Sequence, residues 1–104
     1  MNPYLVASEF RDGLKSIYWE RLKRIYLYGS YARAEADGES DIDILVVLDL
    51  IDHYFAEVDR TSQLTSEISL KYGVSVSRVF VSEQDWSSGE SFFLDNARQE
   101  AVPI

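Results

Sequence analysis

The chain has 104 residues, of which 46% are apolar and 27% charged, a size and composition typical of one globular domain spanning residues 1–104. It contains no cysteine, which excludes disulfide frameworks, thiolate metal sites and catalysis by a thiol. The first residues lack the basic start and apolar stretch of a signal peptide, and no apolar run approaches the roughly 18–20 residues that span a bilayer. We therefore expect a cytoplasmic protein without membrane contact.

The net charge of −8 is concentrated in the middle of the chain, where nine acidic residues and no Lys or Arg lie between Glu35 and Asp59. Such a surface repels nucleic acid, whose binding depends largely on basic residues, so we expect no direct nucleic-acid binding. A divalent cation or a basic protein partner would be attracted to it. Most of these acids can be explained by solubility alone, but two of them, Asp41 and Asp43, lie within an apolar strand.

The first part of the chain predicts a helix, a strand and a turn. Asn2 followed by Pro3 is a helix-start signal, and apolar residues at helical spacing predict a helix from Pro3 to about Leu22. Residues Arg24–Tyr28 alternate and contain β-prone side chains, which predicts a strand that stops at Gly29-Ser30. A short helix is expected over Tyr31–Ala36, ended by the turn signal Asp37-Gly38.

The rest of the chain predicts two further strands and three helices. The nearly all-apolar segment Ile42–Leu48 is typical of a central strand covered on both faces. A helix capped by Asp52 should run to about Tyr72 and end at Gly73, before a strand from Val74 to Val81. Ser82 and Asp85 resemble a capping pair for a short turn or helix, Glu83–Trp86, and a last helix should run from Phe92 to about Ala101. This order indicates an α/β (α+β) fold in which helices pack on a small mixed β-sheet of three or slightly more strands.

Asp41 and Asp43 form the most informative pair in the sequence. Carboxylates at positions i and i+2 of a strand point to the same face, with Cα atoms about 7 Å apart. Burying one such group without compensation is costly, and a second one nearby repels it, whereas a cation removes both penalties. Magnesium prefers oxygen ligands and commonly takes one or two protein carboxylates together with substrate phosphates. The pair is therefore a candidate metal site.

Gly29-Ser30 precedes this pair by ten residues and supplies a second element. A strand that stops at Gly can turn tightly and bring its backbone close to a phosphate, and the amides that follow can point at the anion. Ser30 adds a hydroxyl donor. Such a Gly-Ser turn is a weak signal by itself and gains weight from its spacing to the acidic pair.

The segment from Gly29 to Val46 resembles the signature of the DNA polymerase β-like nucleotidyltransferase superfamily, and in particular its minimal nucleotidyltransferase (MNT, or MntA-like) branch. The resemblance implies a nucleotidyltransferase fold and two-metal, Mg2+-dependent transfer of a nucleoside monophosphate. It also implies a role as an antitoxin, because many MNT proteins neutralise HEPN-domain ribonuclease toxins and some attach AMP from ATP to a toxin tyrosine. By position, Gly29 and Ser30 would bind the triphosphate, and Asp41 and Asp43 would ligate magnesium and act catalytically.

The sequence departs from the superfamily at one position. Many members carry a third carboxylate on a later strand, and Ser77 stands about where this residue is expected. Serine is a poor magnesium ligand. Glu67 or Asp59 could substitute, the partner could complete the site, or catalysis could be weak.

Three further features leave alternatives open. Arg33 could bind a phosphate or pair with Asp37 at i,i+4 spacing. His53, the only histidine, has no obvious catalytic partners. Trp86 and the run Phe92–Leu94 exceed the needs of a small core and are candidates for a partner surface.

The sequence features favour two classes of function, and a third is considered as an alternative. The first is an adenylyltransferase antitoxin that transfers AMP to a tyrosine of a HEPN toxin. The second is a non-catalytic, nucleotide-binding antitoxin that inhibits its partner by binding alone, which the missing third carboxylate and the acidic segment favour. A small-molecule nucleotidyltransferase is the third, although a short chain leaves little room for an acceptor pocket.

Overall fold

A computed structural model of the chain describes residues 2–37 and 40–104. Over these residues the chain forms five α-helices and four β-strands. In chain order they are α1 (Pro3–Tyr18), β1 (Leu22–Tyr28), β2 (Ile42–Leu48), α2 (Tyr54–Arg60), α3 (Ser62–Tyr72), β3 (Val76–Ser82), α4 (Glu83–Ser88), α5 (Phe92–Glu100) and β4 (Val102–Pro103). The described helices include none that is both long and apolar enough to cross a membrane.

The strands form one mixed sheet in the order β3-β2-β1-β4. β1 runs antiparallel to both β2 and β4, whereas β2 and β3 are parallel. This arrangement confirms the expected α/β class with a small mixed sheet packed by helices. The short β4, which pairs Val102 with Leu27, was not predicted, because two residues that include a proline carry no strand signal.

The central strand β2 divides two apolar layers. On one face, Ile42, Ile44, Val46 and Leu48 are fully buried in a core that also contains the inner residues of α1 and α3. On the other face, Leu45 and Val47 pack with residues of α4 and α5. Burial on both faces explains the uninterrupted apolar sequence, and the predicted bounds of this strand are confirmed.

The first helix starts as predicted but ends earlier. The Asn2 side chain accepts a hydrogen bond from the Tyr4 amide (2.9 Å), and Pro3 is the first helical residue. The helix ends at Tyr18 because Trp19 adopts a positive φ of 52°, and a single 3-10 turn follows. Leu22, predicted as the end of the helix, instead begins β1 opposite Leu48.

The predicted short helix over Tyr31–Ala36 is wrong. The Arg33 and Glu35 amides donate to the carbonyls of Gly29 and Ser30, which makes one helical turn. Ala34 then adopts a positive φ of 59° and prevents continuation. The turn signal at Asp37-Gly38 includes Gly38, which lies outside the described residues.

The long helix predicted from Asp52 to Tyr72 is interrupted at Thr61, and Asp52 does not cap it. Arg78 of β3 donates to the Val58 carbonyl and to the Thr61 hydroxyl, both at 2.8 Å. These donors occupy acceptors at the junction of α2 and α3, which explains the break. α2 begins after His53, whose side chain makes no capping hydrogen bond.

Three further helix boundaries lie at or near the predicted residues. Gly73 ends α3 in the left-handed conformation (φ 65°). The Ser82 hydroxyl accepts from the Asp85 amide at the start of α4, which continues to Ser88 rather than Trp86. The last helix, α5, ends at Glu100, and the chain then enters β4.

Candidate active site

The antiparallel pairing of β1 and β2 places the Gly29 turn beside the acidic pair. Tyr28, the last residue of β1, lies directly opposite Asp43. Gly29 then turns the chain with a φ of 74°. A methyl group at Gly29 would overlap with Asp43 Oδ2 and stand only 3.2 Å from its Cγ. The Asp43 carboxylate therefore lies against the backbone of the Gly29 turn, and only glycine leaves room for it.

The turn after Gly29 presents backbone donors next to this carboxylate. Within residues 2–37 and 40–104, the amides of Ser30, Tyr31 and Ala32 donate to no protein acceptor, whereas those of Arg33 and Glu35 close the turn. Unpaired amides at the start of a helical turn are suited to anions. The turn thus offers donors of the kind that bind anions, although it does not continue into a helix.

Asp43 carries an unfavourable charge in this structure. Its half-buried position raises the pKa of its carboxyl, and the nearby negative charge of Asp41 raises the pKa further, while Arg33 acts in the opposite direction. Asp41 is exposed at the residue before β2. Two neighbouring carboxylates, one of which is destabilised in its ionised form, fit the preference of magnesium for oxygen ligands.

Ser77 lies beside Asp43 on β3, in direct register across the parallel pair. Paired residues of neighbouring strands face the same side, so the serine stands where a third carboxylate would complete the site. The alternatives Asp59 and Glu67 are wrong: their neighbours Val58 and Ile68 pack into the core on the opposite face of the sheet. Over the described ranges, no three or more His, Cys, Asp or Glu residues are grouped to hold a metal ion.

Arg33 forms ion pairs with two carboxylates. Its guanidinium donates to Glu35 (3.0 Å) and to Glu100 at the end of α5 (2.9 Å). Spacing in the sequence suggested Asp37 or a phosphate as its partner and could not indicate Glu100, 67 residues away. Because Arg33 also lowers the pKa of Asp43, its charge acts on the same site.

Tyr28 is a site residue that sequence analysis missed. Its side chain lies beside Asp43, and the Phe93 ring packs edge-on against it at 6.0 Å between centroids. Burial, together with Asp43 and Tyr54, raises the pKa of the Tyr28 hydroxyl to about 12. The alternation of β1 could have revealed it, because Tyr26 and Tyr28 share the face that carries Asp43.

The proposed aromatic partner surface is divided by the structure. The Trp86 ring lies 4.9 Å from that of Tyr26, and its indole donates to the Tyr26 hydroxyl, so the partly buried Trp86 packs against the core layer. Leu94 packs into the same layer. Phe92 and Phe93 remain 85% and 41% exposed. His53 lies beyond the far end of β2, remote from Asp43.

Comparisons with known proteins identify the family of the chain. A family model described as "Nucleotidyltransferase domain" matches residues 7–98. A protein of Methanocaldococcus jannaschii, named as a candidate protein adenylyltransferase, is 42% identical over 84 residues, which cover 81% of this chain and 78% of that protein.

Two solved toxin–antitoxin complexes contain chains with a similar fold. One, with AMP-PNP, matches with a TM-score of 0.64 and 20% identity, covering 99% of this chain and 72% of the other. The second is the tri-AMPylated HEPN toxin of Shewanella oneidensis with an MNT antitoxin, with a TM-score of 0.62, 19% identity, and coverage of 98% and 71%. From the family model and the Methanocaldococcus relative it follows that this chain belongs to the nucleotidyltransferase domain family.

Proposed function

We propose that the protein is a Mg2+-dependent adenylyltransferase that moves AMP from ATP to a tyrosine of a HEPN-domain toxin and thereby neutralises it. The observation that carries the proposal is the contact between the Gly29 turn and the Asp43 carboxylate. Through this contact, the backbone amides of the turn, which suit a triphosphate, lie next to Asp41 and Asp43, which suit a metal ion. The name of the Methanocaldococcus relative and the AMPylated toxin in the similar Shewanella complex support this choice of substrate.

Each site residue has a defined task in this proposal. Asp41 and Asp43 would hold magnesium, which when bound neutralises phosphate charge and polarises the reacting phosphorus. The Gly29 and Ser30 amides and the Ser30 hydroxyl would bind the β- and γ-phosphates. The acceptor tyrosine oxygen forms a bond to the α-phosphorus and gives its proton to water, while the bond between the α-phosphorus and the oxygen that bridges it to the β-phosphorus breaks and pyrophosphate leaves.

Mass spectrometry of the partner tests the proposal. A HEPN-domain ribonuclease from the same genome is incubated with the protein, ATP and magnesium, and peptide mapping then locates any added AMP. We expect AMP on a tyrosine, and a rate reduced roughly 100-fold or more by Asp41→Ala or Asp43→Ala. Asp59→Ala, an exposed acid on the opposite side of the sheet, is the matched control. Folded wild-type protein that adds no AMP would rule the proposal out.

Ser77 supports a second candidate, a nucleotide-binding antitoxin that inhibits by binding alone. A site with two carboxylates and a serine binds magnesium less firmly than one with three acids. If this is the function, the Asp41→Ala/Asp43→Ala double variant still neutralises the toxin. If the protein transfers AMP and weak metal binding limits the rate, Ser77→Asp should increase the rate of AMP addition. If the protein inhibits the toxin by binding alone, Ser77→Asp should not change the inhibition.

A further inference from the structure

A cleft beside the Gly29 turn is not explained by the metal and phosphate site. It lies between this turn and α5 and has a volume of about 300 Å³, within the range of small-ligand sites. Its walls include Tyr28, Gly29, Arg33, Phe92, Phe93 and Asn96. Since Gly29 belongs both to the cleft and to the phosphate-binding turn, a ligand could occupy the two together.

The apolar wall of the cleft is aromatic and held in place. The Ser91 hydroxyl accepts from the Leu94 amide and fixes the first turn of α5, where both phenylalanines lie. Tyr28 holds the Phe93 ring. Phe92, at 85% exposure, contributes little to the core of the free protein. An exposed, flat ring beside a phosphate site is suited to stacking on a nucleobase, which is worth about 1–3 kcal/mol per base.

Polar groups complete the cleft. Asn96 is four residues after Phe92 and therefore lies on the same side of α5. Its amide offers one acceptor and two donor hydrogens, a combination that matches neighbouring groups on the edge of adenine. The ion pair between Arg33 and Glu100 connects the turn to α5 along the same cleft.

We propose that this cleft binds the adenine base of ATP, with Phe92 stacking on the base and Asn96 selecting adenine over guanine. The inference rests on the proposed function, because it places the base of the same nucleotide whose phosphates lie at Gly29 and Ser30. It adds the residues that determine which nucleotide is used.

Calorimetric titration with two probes tests the base site separately from the phosphate site. The probes are the magnesium complexes of AMP-PNP, which has a base, and of tripolyphosphate, which has none. We expect Phe92→Ala to weaken AMP-PNP binding about 5- to 150-fold, the equivalent of the stacking energy, and to leave tripolyphosphate binding unchanged. Phe92→Trp, which keeps a stacking surface, should restore AMP-PNP binding. Phe55→Ala removes a phenylalanine that is 78% exposed on α2, away from the cleft, and should change neither affinity.

Asn96→Ala should reduce the preference for AMP-PNP over the corresponding guanine analogue toward equality. An AMP-PNP affinity that Phe92→Ala leaves intact, or an equal loss for both probes, overturns the base site while the proposed function stands. Wild-type protein that binds neither probe with magnesium overturns the proposed function and this inference with it.

Discussion

Two carboxylates at opposite ends of the sheet have opposite electrostatic environments. Glu57 lies near the start of β1 and the end of β2, where it is almost fully buried. It accepts a hydrogen bond from the Tyr18 hydroxyl (2.9 Å) and pairs with Arg60 and Arg21. Burial alone would raise the pKa of Glu57, but these partners outweigh it and lower the pKa.

Asp43, at the other end, is less buried than Glu57, and yet its pKa is raised, first by its own burial and then by the negative charge of Asp41, with Arg33 acting in the opposite direction. The opposite pKa shifts distinguish a carboxylate with a structural role, Glu57, from one that can bind a ligand, Asp43. Glu57 receives its compensating charges from the chain itself. The Asp43 charge is compensated only partly, by Arg33, which is already paired with Glu35 and Glu100. A cation from outside would supply the remainder.

Removing the charge of Glu57 should have the largest effect on stability. We expect Glu57→Gln to lower the free energy of unfolding at pH 7 by roughly 1.5–3 kcal/mol, because hydrogen bonds to a charged group are lost in the core. Urea denaturation measures this change, and Glu67→Gln on the exposed side of α3 is the control. Because folding lowers the pKa of Glu57, the extra stability of the wild type over the variant is fully present above the ordinary glutamate pKa of 4.5. This extra stability is lost as the pH falls through the pKa of Glu57 in the folded protein. An advantage that grows in acid would contradict the assignment.

Gly29→Ala tests the contact between the Gly29 turn and the Asp43 carboxylate. Gly29 and Gly73 both have positive φ, so an alanine at either position costs about 1–2 kcal/mol of stability. At Gly73 nothing lies within 4 Å of the new methyl group, whereas at Gly29 it displaces the Asp43 carboxylate. We therefore expect only Gly29→Ala to reduce AMP transfer, by about tenfold or more, a loss of at least 1.4 kcal/mol. Equal activity of the two alanine variants would show that this contact is not needed.

Asp43→Asn should stabilise the free protein. The raised pKa means that ionisation of Asp43 opposes folding, and this penalty appears as pH rises through the folded pKa. Since the side chain is partly exposed, we expect a gain below about 1 kcal/mol at neutral pH, or a melting temperature a few degrees higher. The gain should disappear in acid below the ordinary pKa of Asp, and Asp59→Asn should show none. If Asp43→Asn is less stable than the wild type at pH 7, the Asp43 charge does not oppose folding.

The smallest expected effect concerns Arg33. Its pairs with Glu35 and Glu100 are partly exposed, and such pairs are worth less than about 1 kcal/mol. Glu100→Gln frees the guanidinium for a phosphate, so we expect AMP-PNP with magnesium to bind a few-fold more tightly and stability to change little. Titration calorimetry measures the affinity. Weaker binding in this variant would indicate that Glu100 holds Arg33 in its working position.

Local patterns predicted the parts of the fold that depend on neighbouring residues. The apolar run Ile42–Leu48, the Asn2 cap and the left-handed Gly73 follow from local chemistry, and all three are confirmed. The break at Thr61 arises from Arg78, which is 17 residues away in sequence, and helical spacing cannot reveal it. α1 ends before Trp19, which has a positive φ, and Leu22 pairs with Leu48 across the sheet, a contact that helical spacing cannot reveal.

In the candidate site, too, local motifs predicted some residues, whereas contacts between distant segments determine others. The motif brought Gly29, Asp41, Asp43 and Ser77 to attention, and the strand register places Ser77 beside Asp43. Tyr28 is set opposite Asp43 by antiparallel pairing, and Glu100 reaches Arg33 only because α5 returns to the turn. Contacts between distant segments determine both: the alternation of β1 indicates which face Tyr28 occupies but not its partner, and no local pattern links Glu100 to the site.

Thermal unfolding with magnesium and AMP-PNP measures whether the Asp43 carboxylate is needed to bind a metal-bound nucleotide. For the wild type, magnesium and AMP-PNP together should raise stability by about 2.7 kcal/mol at a ligand concentration 100 times the dissociation constant. Asp43→Asn, although more stable alone, should gain almost nothing at the same concentrations. An equal gain in both proteins would contradict this requirement for Asp43.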